Sequence, residues 1–469
     1  MELKHPTTIW RRSVYIVQHF VRPGLIALCA CLLGCSVTPG INDLRSGQDN
    51  ALYEPITQSV KDLGYSDSVA VNFMNQMFKR KSNTANAVYW KETLMNMHDK
   101  EEPGEIAKQQ MQCVRALAHR ISHSISSDRA YSDLQDVLAR KKANCVGYVQ
   151  IFHILAHCVG LHTRPVLVWE LQRSEEIRVG ELHVCTLITL ADGKVALMDL
   201  ALPGVNSQPF EFEEVYHSHG SVFELRENNY PEDMYRRIEL LDINGLKAIV
   251  CNNRGIACAS SQQFDRAILS YDQAIALNQG CVMAWNNRGL VHQQSGNLDC
   301  ALADYSKAIA LHPTFSGALN NRGSAWIKLG EYELALMDFE KVIALTPSCA
   351  KAYNNRANVY IHMDQMDRAL LDYQKAIELN PKLAQVYYNR GSVYHTHGEY
   401  QQAVRNYTRA IRYKPTLYHA YINRGLTYAM LGEYIKARRD LMSARELSPT
   451  PAIIDCVEKI SERFQLDLG

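Results

Sequence analysis

Three residues in one 55-residue stretch have the types a thiol enzyme needs: Cys145, His183 and Asp199. A thiolate attacks a carbonyl carbon, an imidazole carries the proton, and a carboxylate holds the imidazole in orientation. Cys145 is well placed for the first role. Asn144 is a good N-cap, and CVGYVQIFHILAHC (Cys145 to Cys158) has helical spacing with Val146, Val149, Ile151, Phe152 and Leu155 apolar, until Gly160 stops it. The cysteine therefore opens a helix, where unpaired N–H groups and the positive end of the helix dipole favour a thiolate. Arg140, Lys141 and Lys142 add positive charge just before it.

The other two residues depend on strands. Val166 to Leu171 (VLVWEL), Leu182 to Leu190 (LHVCTLITL) and Lys194 to Leu200 (KVALMDL) read as strands, the last two joined around Asp192-Gly193. A two-residue turn would put His183 and Asp199 on opposite faces. A three-residue loop, Ala191-Asp192-Gly193, with Gly193 left-handed in a bulge, sets Asp199 opposite Cys185 and diagonal to His183 on one face. The sequence Ala-Asp-Gly-Lys suits that loop.

This stretch resembles the transglutaminase-like superfamily, the papain-related Cys-His-Asp fold. That family's pattern is a cysteine opening a helix, a Gly-x-x-x-Arg-Pro-like strand entry, then His and Asp on successive strands. Here these are Cys145, Gly160 to Arg164-Pro165, His183 and Asp199. The resemblance implies Cys145 as nucleophile, His183 as base and Asp199 as its orienter, in a protease, deamidase or transamidase without a cofactor. Asn144 stands where a glycine is usual, and Val184-Cys185 where a small residue and tryptophan are typical. The alternative is a domain that keeps the fold without turnover, with Cys145 a buried helix cysteine.

Other ionisable groups point to no second chemistry. His217-x-His219 has no evident third ligand and reads as loop, the pairs His119/His123 and His153/His157 lack an acidic ligand, and no GxxxxGK[ST] loop occurs, so no metal is expected. Fifty Lys+Arg against 49 Asp+Glu leave no bulk field to recruit nucleic acid. A mean hydropathy of -0.24 excludes a polytopic membrane protein.

The C-terminal half repeats every 34 residues. Asn-Arg followed by a small residue recurs at Asn253, Asn287, Asn321, Asn355, Asn389 and Asn423. Ala267 to Ala437, the aromatics Tyr271, Tyr305, Phe339, Tyr373 and Tyr407, and the prolines Pro313 to Pro449 keep the same step. Small residues let two helices approach, the aromatic fills the gap between pairs, and proline ends each pair. The pattern resembles the tetratricopeptide repeat (TPR), with copies at 248–281, 282–315, 316–349, 350–383, 384–417 and 418–451 and a capping helix at 452–469. Gln279 and Leu441 depart from it at the ends. The resemblance implies a groove for a protein or peptide, with the six asparagines on its concave side gripping peptide backbone. Alternatively they are a structural variant that bonds within its own helix pair.

The N-terminus reads as an address. Lys4, Arg11, Arg12 and Arg22 precede the apolar run Gly24 to Gly34, which is too short to span a bilayer, and Leu32-Leu33-Gly34-Cys35 resembles the bacterial lipobox. That implies lipidation at Cys35 and, with Ser36 following, an outer-membrane lipoprotein facing the periplasm. The expected organisation is a signal peptide at 1–34, a tether at 35–55, an α+β transglutaminase-like domain at 56–230 (helical front 56–137, core 138–203), a linker at 231–247, and an all-α TPR solenoid. Its function is an envelope cysteine hydrolase or amidotransferase with a protein-binding array, or else a non-enzymatic adaptor organising envelope complexes.

Overall fold

The computed structural model describes residues 50–77, 81–97, 102–127, 133–171, 183–200, 209–219, 222–226 and 235–466. Cys35 and the expected signal segment and tether, up to residue 49, lie outside them. The chain forms two compact units, Met1–Arg254 and Gly255–Gly469.

The first unit opens on helices Asn50–Asp62, Asp67–Met77, Lys81–Met97 and Pro103–Ser124. Pro103 sits in the first turn of the last, where its missing N–H costs nothing. That helix buries Ala107, Gln110, Met111, Val114, Leu117 and Ile121, one face at three- and four-residue spacing. Strand β1 (Ser126–Ser127), helix Leu134–Arg140 and strand β2 (Lys142–Ala143) follow, β2 pairing parallel to β1. The helix Cys145–Cys158 comes next, with the bounds its sequence implies.

Six further strands make an antiparallel sheet: β3 (His162–Leu171), β4 (His183–Thr189), β5 (Val195–Met198), β6 (Tyr216–His219), β7 (Val222–Leu225) and β8 (Tyr235–Leu240), in the order β5-β4-β3-β8-β7-β6. Alternation along β4 divides the interior. Val184 and Ile188 join the helical core, which includes Phe152 and Leu155, whereas Cys185 and Leu187 join a second core with Tyr216, Tyr235 and Ile238. The β4–β5 register pairs Thr186 with Met198 and Thr189 with Val195. Gly193 has φ +86° in the three-residue loop, and Leu190 N–H donates to the Lys194 carbonyl at 2.8 Å. This is the register that the bulged loop requires.

Two readings of the sequence need correction. The expected linker 231–247 holds β8, which lies between β3 and β7 inside the sheet, followed by the start of helix Ile243–Ser260. Arg236-Arg237 and Glu239 disguise it as polar, yet Tyr235 and Ile238 are fully buried and Arg237 meets Glu224 of β7 at 3.5 Å. The domain expected to close at 230 thus continues through Leu240. His217 and His219, read as loop, lie on β6.

Six helix pairs, the first beginning within the first unit and the others lying in the second, follow one another: Ile243–Ser260 with Phe264–Leu277, Val282–Gln294 with Leu298–Leu311, Ser316–Leu329 with Tyr332–Leu345, Ala350–His362 with Met366–Leu379, Ala384–Thr396 with Tyr400–Tyr413, and Tyr418–Met430 with Tyr434–Leu447. Helix Pro451–Arg463 ends the run, placing Val457 against Ile422, Leu441 and Ala444. The repeated aromatic packs inside its own pair as well as between pairs. A Cβ at Gly289, Gly323 or Gly391 would lie 2.8–2.9 Å from the ring of Tyr305, Phe339 or Tyr407, so those glycines are seats for the rings.

Candidate active site

Cys145 is held at its helix terminus by local bonds. The left-handed Lys141 (φ 56°) ends helix Leu134–Arg140, β2 pins the next two residues, and the Asn144 side chain accepts from the Gly147 N–H at 3.1 Å. One turn further on, the Tyr148 hydroxyl donates to the Ile125 carbonyl at 3.1 Å. Cys145 itself is half-buried. Arg140, Lys141 and Lys142 are exposed, so solvent screens their contribution.

His183 is the first residue of β4, and Asp199 follows the last residue of β5. At that rim the side chains meet: His183 Nε2 donates to Asp199 Oδ2, and His183 also hydrogen-bonds Cys145. His183 is 8% and Asp199 2% exposed, so the pair sits out of water. Burial by itself would lower the imidazole pKa, but the bonds to Asp199 and Cys145, and the charge of each, raise it to about 10. With Nε2 committed to the carboxylate, Nδ1 is the nitrogen left for sulfur. The fold therefore brings together the three residues singled out from sequence.

It also adds a fourth. The Tyr235 hydroxyl donates to the same Asp199 Oδ2, and its ring centroid lies 6.1 Å from that of His183. Burial drives the Tyr235 pKa far upward, so it remains a donor. Tyr216 donates in turn to the Tyr235 carbonyl at 2.9 Å. Sequence reasoning missed Tyr235 because it stands in the segment taken for a linker, and its three-residue spacing from Ile238, set by an irregularity in the β3–β8 pairing, breaks the period-two pattern of a strand. A crevice beside the thiol is lined by Cys145, Tyr148, Phe152, Thr186, Met198 and Asp199. Among the described residues no His, Cys, Asp and Glu cluster could hold a metal ion.

The repeat asparagines bond side chains of their own array. Asn321 Nδ2 donates to Asn286 Oδ1 at 2.9 Å, Asn355 to Asn320 at 2.9 Å, Asn389 to Asn354 at 3.0 Å, and Asn423 to the Tyr388 hydroxyl at 3.1 Å. Asn287 and Asn253 accept from Asn286 and Asn252 at 3.2 and 3.4 Å. Each of the four donor amides reaches the first helix of the preceding repeat, so the ladder stitches neighbouring repeats. The alternative expectation, bonding within one pair, holds in part: Asn253, Asn287, Asn355 and Asn389 accept from side chains of their own helix, while the central asparagines also donate to the preceding repeat. The arginine after each asparagine is equally engaged: Arg322 holds Asp338 at 2.9 and 2.8 Å, and Arg356 and Arg424 hold Asp372 and Asp440 likewise.

Comparison with known proteins places families on these regions. A model of the transglutaminase-like superfamily matches residues 92–199, ending on Asp199. Tetratricopeptide repeat models match 282–315 and 350–383, 316–349, 372–405 and 393–432. No curated protein matches the chain. Among solved structures it is similar to the APC/C hetero-tetramer Cut9-Hcn1 (18% identity, TM-score 0.41, covering 45% of this chain and 42% of that one). It is also similar to pilF of Pseudomonas aeruginosa (16%, TM-score 0.39, 45% and 96%) and to YrrB, a TPR protein with an unusual peptide-binding site (23%, TM-score 0.30, 40% and 97%). The chain thus spans 42% of the Cut9-Hcn1 chain that it matches. Residues 92–199 are a transglutaminase-like domain, and tetratricopeptide repeats follow it over 282–432.

Proposed function

We propose that the protein is an envelope lipoprotein whose Cys145–His183–Asp199 site cleaves or exchanges amide bonds in a protein substrate, while the repeat array holds a protein or peptide. The observation that carries this reading is one buried imidazole bonded at once to a carboxylate and to a helix-opening thiol. The Cys145 sulfur adds to the amide carbon, and the developing oxyanion has the Cys145 N–H as a donor. His183 passes its proton to the leaving nitrogen as the C–N bond breaks, leaving a thioester. Water or an amine then attacks, His183 takes the proton, and sulfur departs. Asp199 keeps the ring in place, and Tyr235 keeps Asp199 in place.

Incubation with dimethylcasein and dansylcadaverine, following both ammonia release and amine incorporation, tests the chemistry. Wild type should show one or both, and Cys145→Ser neither. Equal activity in Cys145→Ser discards the mechanism, and inactivity of the wild type on amide substrates favours the adaptor reading. Anchoring rests on the lipobox-like Leu32 to Cys35. Metabolic labelling with a fatty-acid analogue should mark wild type and spare Cys35→Ala; equal labelling removes the lipid from this account.

A further inference from the structure

Five of the six repeat arginines have a carboxylate partner. Arg254 holds Asp133, Arg288 holds Asp304 and Asp272, and Arg322, Arg356 and Arg424 hold Asp338, Asp372 and Asp440. The fifth repeat breaks the rule. Asn406 stands where the second, third, fourth and sixth repeats have aspartate, and Arg390 bonds neutral amides, Asn406 Oδ1 and Gln374 Oε1, both at 2.9 Å. Arg409 from the second helix of that repeat stands on the same ring as Arg390: the two guanidiniums lie 5.8 and 5.9 Å from the Tyr387 centroid. Tyr413 stacks on Tyr387 at 5.5 Å and is 39% exposed. Burial and Arg409 lower the Arg390 pKa, whereas Arg288, Arg356 and Arg424 have theirs raised by their aspartates.

The surroundings repeat the imbalance. Helix Tyr400–Tyr413 carries Arg405, Arg409 and Arg412 and no acid, all three exposed. Residues 384–451 hold ten Lys and Arg against four Asp and Glu, while 282–383 hold ten of each. A half-buried guanidinium lacking the counter-charge of its counterparts, with a second, exposed guanidinium on the same aromatic ring, makes a locally positive surface that suits a carboxylate.

We propose that the fifth repeat is a docking site for an acidic peptide segment, a Glu or Asp carboxylate of which supplies from outside the negative charge that an aspartate side chain gives the arginine in the repeats on either side. This rests on the reading of the repeat array as a protein-binding surface and names the chemistry of its partner. Fluorescein-labelled hexaglutamate titrated against the full chain, followed by anisotropy, tests it. Hexaglutamate should bind, hexaglutamine should not, and added salt should weaken binding. Asn406→Asp gives Arg390 the partner its counterparts have, so it should weaken binding at least tenfold while leaving the melting temperature unchanged or higher. Arg409→Gln, on the surface, should weaken it by a similar factor. Equal binding by wild type, Asn406→Asp and Arg409→Gln overturns the site. Equal binding of both peptides overturns the acidic preference but leaves peptide binding standing, and binding of neither overturns both. Displacement by inorganic phosphate at the same concentration as by unlabelled hexaglutamate would make this a small-anion site and overturn the peptide assignment.

Discussion

At the scale of residues, the site is a chain of donors ending on one carboxylate oxygen: Tyr216 to the Tyr235 backbone, Tyr235 and His183 to Asp199 Oδ2. Tyr235→Phe keeps the ring and removes only the hydroxyl. A hydrogen bond to a charged group is worth about 1.5–3 kcal/mol, so kcat should fall roughly tenfold or more with KM little changed. An unchanged kcat in Tyr235→Phe would remove this residue from the account, and a change in KM alone would make it structural. The His183 pKa makes a second claim. It is raised to about 10 from about 6.5 in the unfolded chain, so folding tightens proton binding. The resulting stabilisation is complete below about pH 6.5 and is lost as pH rises through about 10. The melting-temperature difference between wild type and His183→Gln should therefore shrink steadily from about pH 7 to about pH 10, and a difference independent of pH contradicts it.

At the scale of elements, a period-two argument made the site legible. The bulged Ala191-Asp192-Gly193 loop could be weighed against a two-residue turn because only one register puts His183 and Asp199 on one face, and that register is observed. Strand β8 was not legible, since its charged residues mask two buried positions and its partners, β3 and β7, are set by long-range pairing. The repeat helices were legible from period alone. The use of their asparagines was not, because a 34-residue step gives the position of a side chain and not its neighbour in the next repeat. Those amides now predict stability. Asn321→Ala combined with Asn355→Ala removes two inter-repeat bonds at about 1 kcal/mol each, so unfolding should cost about 2 kcal/mol less. Chemical denaturation of the double variant measures this, and an unchanged midpoint would show the ladder to be energetically idle.

At the scale of the whole molecule, the two units have different logics. The first gathers buried polar groups into one constellation, and the second distributes its own over repeating contacts, with the fifth repeat as the exception. The ten described cysteines are thiols, and burial separates them: Cys113 and Cys158 are pushed up to about 12, and Cys185 well above its ordinary value. Those three stay protonated and unreactive near neutrality. Cys145, by contrast, is hydrogen-bonded to the His183 imidazole. The most direct test of the central claim is therefore the rate of iodoacetamide labelling at about pH 6.5, mapped to each cysteine by mass spectrometry in wild type and His183→Ala. The account predicts that Cys145 is labelled faster than the exposed Cys300 in the wild type and loses that lead when His183 is removed. Labelling of Cys145 no faster than Cys300, or equally fast without His183, would contradict it.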